Sequence, residues 1–301
     1  MKQLLVLSGK GGTGKTTVAS AFIKLSGAKV YGDCDVDAPN LHLIRGKEYS
    51  SVKNSDYYAM PKAVINGELC TGCGICREKC RFNAIEYVTG DNCTKHMEVN
   101  LPACEGCGLC EVLCPSGAVT LKPAVAGKLS LYEKPDEIFS TAQLKIGSGT
   151  SGKLVAAVKK QMIDKYRESA LESRLSIVDG SPGIGCPVIS SLSGVDMVLI
   201  VAEPSMSGIS DMRRILKTAG VFGTKAVVCV NKFNINEERT NSIIDFCEKH
   251  RIPFVGKIPF DSEAVKAVNE CKSVADIDCI AGQAIKLVYE NTMKILFENN
   301  K

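Results

Sequence analysis

No stretch of this chain approaches the ~20 consecutive apolar residues that a membrane-spanning helix needs. Its basic residues form neither an arginine-rich tract nor a cluster. The formal net charge of +4 over 301 residues is too small to argue for nucleic acid or an acidic membrane surface as a partner. The first apolar run, Leu4-Leu5-Val6-Leu7, is too short for a secretory signal, and no small-residue cleavage site follows it. The three histidines (His42, His96 and His250) lie far apart without metal-ligand spacing. Aromatics are few and apolar residues make up 45% of the chain, as in globular proteins long enough for two domains or one large α/β domain with an insert. A cytoplasmic location is expected. There, dense cysteine points to metal or catalysis rather than disulfides, and the odd total of 15 fits a fully paired framework poorly.

What is abundant is cysteine in two runs, Cys70-x-x-Cys73-x-x-Cys76-x-x-x-Cys80 and Cys104-x-x-Cys107-x-x-Cys110-x-x-x-Cys114-Pro115. This is the bacterial ferredoxin spacing for two iron–sulfur clusters, in which the fourth cysteine of each run serves the other cluster. Cys70, Cys73, Cys76 and Cys114 are thereby assigned to one [4Fe-4S] cluster, and Cys104, Cys107, Cys110 and Cys80 to the other. The runs are an internal repeat. A shift of 34 residues lays Cys70 on Cys104, Gly72 on Gly106, Gly74 on Gly108, Ala84 on Ala118 and Ile85 on Val119. That period also suggests a helical repeat array, but Gly and Cys occupy the positions where helix faces would lie. Structural zinc also uses Cys-x-x-Cys knuckles, without the third cysteine of each run. Arg81 stands where the ferredoxin pattern has proline; a guanidinium there would raise that cluster's potential or serve in docking. Cys93 lies between the runs, outside the motif. Cys34 and Cys186 flank carboxylate-rich segments and are read as buried packing in preference to redox sensors, and Cys229 as core. Cys271 and Cys279 form no Cys-x-x-Cys.

Around the cysteine-rich stretch the pattern is α/β. Strands are predicted at 4–7, 29–32, 175–178, 195–202, 225–230 and 254–258. Helices are predicted at 16–25, 151–173, 210–220 and 237–249. Continuous apolar strands alternating with helices imply a doubly wound, mostly parallel sheet. One domain is expected from 1–60 and 123–301, with an inserted α+β domain at 61–122. Apolar residues at helical spacing in 285–297 predict a core-packed terminal helix; Lys286 and Lys294 are balanced by Glu290 and Glu298, unlike the lysine-massed face of a membrane-surface helix.

Gly9-Lys10-Gly11-Gly12-Thr13-Gly14-Lys15-Thr16 matches the phosphate-loop pattern in full, between a predicted strand and a predicted helix. Gly11, Gly12, Thr13 and Gly14 bring backbone N–H groups to phosphate oxygens at a helix N-terminus. Lys15 reaches the β and γ phosphates, Thr16 binds Mg²⁺ and Thr17 the α phosphate. The second lysine, Lys10, resembles the deviant Walker A motif of the MinD/ParA/nitrogenase iron-protein class. The resemblance implies a Mg²⁺-dependent ATPase, slow without a partner, that dimerises face to face around ATP with Lys10 acting in trans, as a homodimer or with a similar chain. Asp33-Cys34-Asp35-Val36-Asp37 resembles that class's first switch: Asp35 would orient the attacking water near Mg²⁺, with Asp37 the second choice. Ile177-Val178-Asp179-Gly180-Ser181-Pro182-Gly183 resembles its second switch, with Asp179 holding a Mg²⁺-bound water. Val230-Asn231-Lys232 resembles the adenine-recognition segment, Asn231 bonding the base edge and Pro259-Phe260-Asp261 lining the same pocket.

The whole chain resembles MinD-superfamily ATPases with an inserted two-cluster ferredoxin domain. It implies ATP, Mg²⁺ and two [4Fe-4S] clusters as cofactors, and nucleotide-driven switching coupled to electron transfer toward a redox protein partner. Two alternatives stand beside this: an ATPase that assembles or carries iron–sulfur clusters, and a positioning or regulatory ATPase of the MinD type.

Overall fold

The computed structural model describes residues 1–44, 51–89 and 95–298; Cys93 falls outside them. In chain order, β1 (Lys2–Leu7) leads through the glycine-rich loop into α1 (Lys15–Ser26), β2 (Val30–Asp33) and the short α2 (Leu41–Ile44). Next come β3 (Ser51–Tyr58), β4 (Lys62–Ile65), α3 (Ile75–Glu78), β5 (Ile85–Thr89), β6 (Lys95–Val99), α4 (Leu109–Leu113) and β7 (Val119–Lys122). Then β8 (Val125–Lys134) and β9 (Glu137–Leu144) precede α5 (Ser151–Glu168). The alternation finishes with β10 (Leu175–Asp179), α6 (Cys186–Leu192), β11 (Met197–Ala202), α7 (Met206–Val221), β12 (Lys225–Asn231), α8 (Glu237–Lys249), β13 (Phe254–Ile258), α9 (Ser262–Asn269) and α10 (Ile280–Phe297).

One sheet holds nine strands in the order β13-β12-β11-β1-β10-β2-β9-β8-β3. Every pairing from β13 to β9 is parallel. The central strands are buried on both faces, which is why they read as unbroken apolar runs. On one face Leu4, Val6, Ile177 and Leu199 pack with Val18 and Phe22 of α1 and Ile285 and Val288 of α10. Their neighbours Leu5, Leu7, Val198 and Ile200 are equally buried, and α5, α6 and α7 cover that side, with Met162 and Val158 of α5 against Gly32 of β2. Ile285, Val288 and Leu296 of α10 are buried in the core, as the spacing in 285–297 predicts.

Two compact units result: Met1–Asn54, Leu129–Gln143 and Gly152–Lys301 form the first, and Ser55–Lys128 with Leu144–Ser151 the second. The expected insert at 61–122 lies within the second unit but is narrower than it. The flanking segments carry no cysteine signature, and β3, β8 and β9 mix polar with apolar residues, so neither composition nor an apolar run marks them. The helix expected at 151–173 ends at Glu168, where Ser169 turns its hydroxyl back to the Tyr166 carbonyl at 2.8 Å.

Within the second unit the repeat in sequence is a repeat in backbone. β4 pairs with β7 and β5 with β6, both antiparallel. Helices α3 and α4 start at equivalent positions, each capped by a glycine of positive φ, 79° at Gly74 and 81° at Gly108. A side chain at Gly74 would strike the Tyr87 hydroxyl. Two small apolar clusters fill the unit. One joins Ala63, Ala84, Cys104 and Val119, the other Cys76, Ile85 and Met97.

Candidate functional site

In open parallel sheets, ligands bind beyond the carboxyl ends of the strands. Here the ends of β1, β2, β10, β11 and β12 bring together the glycine-rich loop, Asp33, Asp179, Glu203 and Asn231. Gly14 caps α1 with φ 90°, a left-handed conformation natural to glycine. A Cβ there would collide with the Asn231 amide, so the loop and the end of β12 touch only because Gly14 has no side chain.

Lys15 and Thr16 open α1 and converge on one carboxylate. The Lys15 ammonium donates to Asp179 Oδ1 at 2.7 Å, and the Thr16 hydroxyl donates to Oδ2 at 2.6 Å. Asp35 lies 3.8 Å from Lys15. Burial works against the Lys15 charge, yet Asp179, then Asp33 and Asp35, hold its pKa above the ordinary lysine value. Burial likewise raises the Asp35 carboxyl, opposed by Lys15 and reinforced by Asp179. Asp37, the second choice for the water, is exposed.

Asp33 does something that its sequence position did not single out. It is fully buried, and its carboxylate accepts N–H bonds from Asp35, Asn40 and Leu41 at 3.0 Å each. It ties residues 33–41 into a closed turn and so positions Asp35. Burial, then the neighbouring Asp179, pushes its pKa up to about 7 against the pull of Lys15. The two switch segments are also joined directly: the Cys34 N–H donates to the Asp179 carbonyl at 2.7 Å and the Ser181 hydroxyl donates to the Cys34 carbonyl. Burial pushes the Cys34 thiol up to about 12, so it is packing, as expected. Cys186, expected to be buried, is exposed at the first position of α6, with Gly152 of α5 packed close against it.

Lys10 turns back onto its own chain. Its ammonium pairs with Glu203 Oε2 at 2.6 Å and approaches the Ser205 and Ser207 hydroxyls at 3.5 Å. Glu203 also faces Lys232 at 3.8 Å, and Lys232 donates to the Gly12 carbonyl at 2.8 Å. Glu203 was not singled out by the sequence: it is simply the first polar residue after the apolar run of β11.

Beside the loop, a cavity of about 220 Å³ is lined by Gly12, Gly14, Thr17, Asn231, Pro259 and Phe260 among others. Pro259, Phe260 and Asp261 thus share a pocket with Asn231. The Asn231 amide donates to the Thr13 carbonyl at 2.7 Å and accepts from the Lys232 N–H at 3.0 Å. Each end of the amide keeps capacity for one further bond. Asp261 caps α9 and accepts from the Ala281 N–H at 3.1 Å, so its carboxylate belongs to the frame of the pocket. Gly11 and Gly12 are exposed at the mouth, and the buried Thr13 hydroxyl has no partner.

In the second unit the eight thiols ring two cavities. One, of about 350 Å³, is lined by Cys80, Cys104, Cys107 and Cys110, together with Cys76, Lys79, Arg81, Phe82 and Glu105. The other, of about 10 Å³, is lined by Cys70, Cys73, Cys76 and Cys114, with Ile65, Met97 and Val119 and no charged residue. These are the two sets of four that the spacing assigns. Among the described residues, no three or more His, Cys, Asp or Glu are placed to hold a single metal ion.

The CobQ/CobB/MinD/ParA nucleotide binding domain family matches residues 4–274. An uncharacterised protein of Methanocaldococcus jannaschii is 31% identical over 301 residues, covering 98% of this chain and 97% of its own. An uncharacterised ATP-binding protein of the same organism is 24% identical over 309 residues, covering 97% and 98%. Among solved structures, the septum site-determining protein MinD with Mg-ADP from Pyrococcus horikoshii superposes with a TM-score of 0.55 at 16% identity, covering 98% of this chain and 97% of that one. The fold, the complete phosphate loop and these matches agree: this chain belongs to the CobQ/CobB/MinD/ParA family of nucleotide-binding proteins.

Proposed function

We propose that this chain is an ATP-driven molecular switch of the MinD/ParA type, pairing with a second similar chain around ATP and regulating a partner through its nucleotide state. The observation that carries this reading is the convergence of Lys15, Thr16 and Asp179 at the phosphate loop, with Lys10 at its rim. Lys15 would bind the β and γ phosphates, loop N–H groups the remaining oxygens and Thr17 the α phosphate. The base would enter the cavity beside Pro259 and Phe260, its edge bonded by Asn231. Thr16 and Asp179 would hold Mg²⁺, which supplies charge neutralisation on the phosphates. Asp35, buried and held in place by the Asp33 turn, would orient the attacking water. Lys10 would leave Glu203 and reach the partner's ATP, the task of an arginine finger elsewhere. Light scattering tests this: a non-hydrolysable ATP analogue with Mg²⁺ is expected to double the mass, while ADP leaves a monomer. A chain that binds the analogue and stays monomeric would overturn the paired switch.

A second reading is favoured by the thiol-ringed cavities. Eight cysteines around two cavities, Cys76 lining both, without imidazole in either lining, suit iron–sulfur clusters. The larger cavity has room for a cubane as it stands; the smaller must widen. When bound, the clusters supply low-potential one-electron chemistry, and the chain's own part is to anchor them and to donate Ala84 and Ala118 N–H groups to cysteine sulfur. Such a switch would gate electron delivery to a redox partner. Midpoint potentials that shift when an ATP analogue binds would support gating. Unshifted potentials would leave ATP governing docking alone.

A further inference from the structure

The two cysteine runs are copies in sequence and backbone, so the informative residues are those that differ at equivalent places. Each run ends in a loop carrying its fourth cysteine: Cys80-Arg81-Phe82-Asn83-Ala84 and Cys114-Pro115-Ser116-Gly117-Ala118. The backbones agree. The third residue after each cysteine is left-handed, with φ 50° at Asn83 and 64° at Gly117. In both loops the alanine N–H turns back to the cysteine sulfur.

The side chains do not agree, and every difference favours the Cys114 loop. Pro115 fixes its own φ, whereas Arg81 leaves that torsion free. The Ser116 hydroxyl lies 3.6 Å from Cys114 Sγ, within reach of a sulfur hydrogen bond; Phe82, in the same place, has nothing to donate and is exposed. Gly117 adopts the left-handed conformation without a steric penalty, which Asn83 has to bear. The Ala118 N–H approaches Cys114 Sγ to 3.2 Å, and the Ala84 N–H approaches Cys80 Sγ to 3.4 Å. The linings differ as well. That of the Cys114 set holds no charged residue, whereas Lys79, Arg81 and Glu105 are among the residues lining the Cys80 set.

Resting on the iron–sulfur reading above, we propose that the two sites are unequal by construction. The site of Cys70, Cys73, Cys76 and Cys114 is permanent, and the site of Cys80, Cys104, Cys107 and Cys110 is labile, with Cys80 the ligand that releases first. The step is a ligand exchange: the bond from Cys80 Sγ to iron breaks, an incoming thiolate or chelator takes the vacated position, and no electron changes hands. This makes the Cys80 site the place from which iron or a cluster passes to an acceptor.

The test uses the full chain, reconstituted anaerobically with ferrous iron and sulfide and then challenged with excess EDTA while the iron–sulfur absorbance is followed. Two phases of equal amplitude are expected, their rates differing by about 10- to 100-fold, the range by which outer-shell contacts alter metal sites. Grafting the second loop onto the first, Arg81→Pro with Phe82→Ser and Asn83→Gly, should slow the fast phase to the rate of the other. The reverse graft, Pro115→Arg with Ser116→Phe and Gly117→Asn, should accelerate the slow one. Unchanged ATP affinity in both variants confirms that the first unit is intact. A single phase in the natural protein, or two phases indifferent to both grafts, would overturn the inequality while leaving the clusters in place. Failure of the natural chain to retain any iron would instead overturn the iron–sulfur reading, and this inference with it.

Discussion

Lys10, Asp35 and Asp37 are the side chains whose roles differ most between what their type allows and what their place permits. Asp35 sits buried beside Lys15, while Asp37 faces outward. Single-turnover hydrolysis should therefore separate them: Asp35→Asn is expected to lower the rate by a factor on the order of 10²–10⁴, the usual contribution of a positioned acid–base group, and Asp37→Asn to leave it nearly unchanged. Equal losses in both would show that the turn held by Asp33 reopens when ATP binds. Lys10 is expected to matter for hydrolysis and hardly at all for binding. In Lys10→Ala, equilibrium titration should give near-natural ATP affinity, with turnover reduced on the order of 10³, as for a missing arginine finger. Loss of affinity instead would place Lys10 on its own nucleotide. Both lysines of the loop were legible in the sequence because a complete motif fixes their spacing. Glu203, which holds Lys10, was not, because a lone carboxylate after a strand has no pattern until the sheet brings its neighbour to it.

At the scale of elements, α5 holds α6 at both ends of the shorter helix. Near their starts, a Cβ on Gly152 would meet Cys186 at 3.1 Å. Farther along, Lys159 is buried and donates to the carbonyls of Ser191 and Ser193, at 2.7 and 2.5 Å, where α6 ends. Gly152→Val should strike the Cys186 backbone and lower the denaturation midpoint, a loss of about 1–3 kcal/mol for an overpacked contact. Lys159 adds a pH signature. Burial pushes its pKa down to about 8, from 10.5 for a free lysine, against a smaller opposing influence of Cys34. Between these values the folded chain binds fewer protons than the unfolded one, so stability rises with pH across that window, and below about 8 the burial penalty is present in full. Denaturant midpoints taken from pH 7 to 10.5 should show that rise in the natural protein and lose it in Lys159→Met. A rise that survives the substitution would assign it to another group. Most elements of this unit could be read from periodicity alone: α8 and β13 fall at the expected residues, and β10, β11 and β12 within a residue or two. β8 and β9 could not, since strands with mixed polar and apolar residues carry neither an apolar run nor a helical period.

For the molecule as a whole, the two units differ in what can hold them together. The first has a large core shared by the sheet, α1 and α10. The second has two clusters of a few buried residues, several of them cysteines or alanines, too little apolar surface for much stability without a staple. Calorimetry should accordingly show two transitions in the iron-loaded protein. Removing the iron should abolish or strongly lower one and leave the other, with ATP binding, unmoved; a single transition indifferent to iron would count against the clusters as structural supports. The cysteine spacing made the thiol sets legible, but the extent of the second unit was not, because residues 55–60, 123–128 and 144–151 join it through folding rather than composition.

The grip of Lys15 and Thr16 on Asp179 has one more consequence, for the order in which ligands arrive. An ammonium already serves as the resident counter-ion of that carboxylate, so a bare divalent cation must evict a tethered competitor and gains nothing for Lys15 in return. A nucleotide arriving with its cation offers Lys15 a phosphate in the same event. On the proposed reading the loop would thereby be a selective port, turning away magnesium alone and admitting magnesium escorted by a triphosphate.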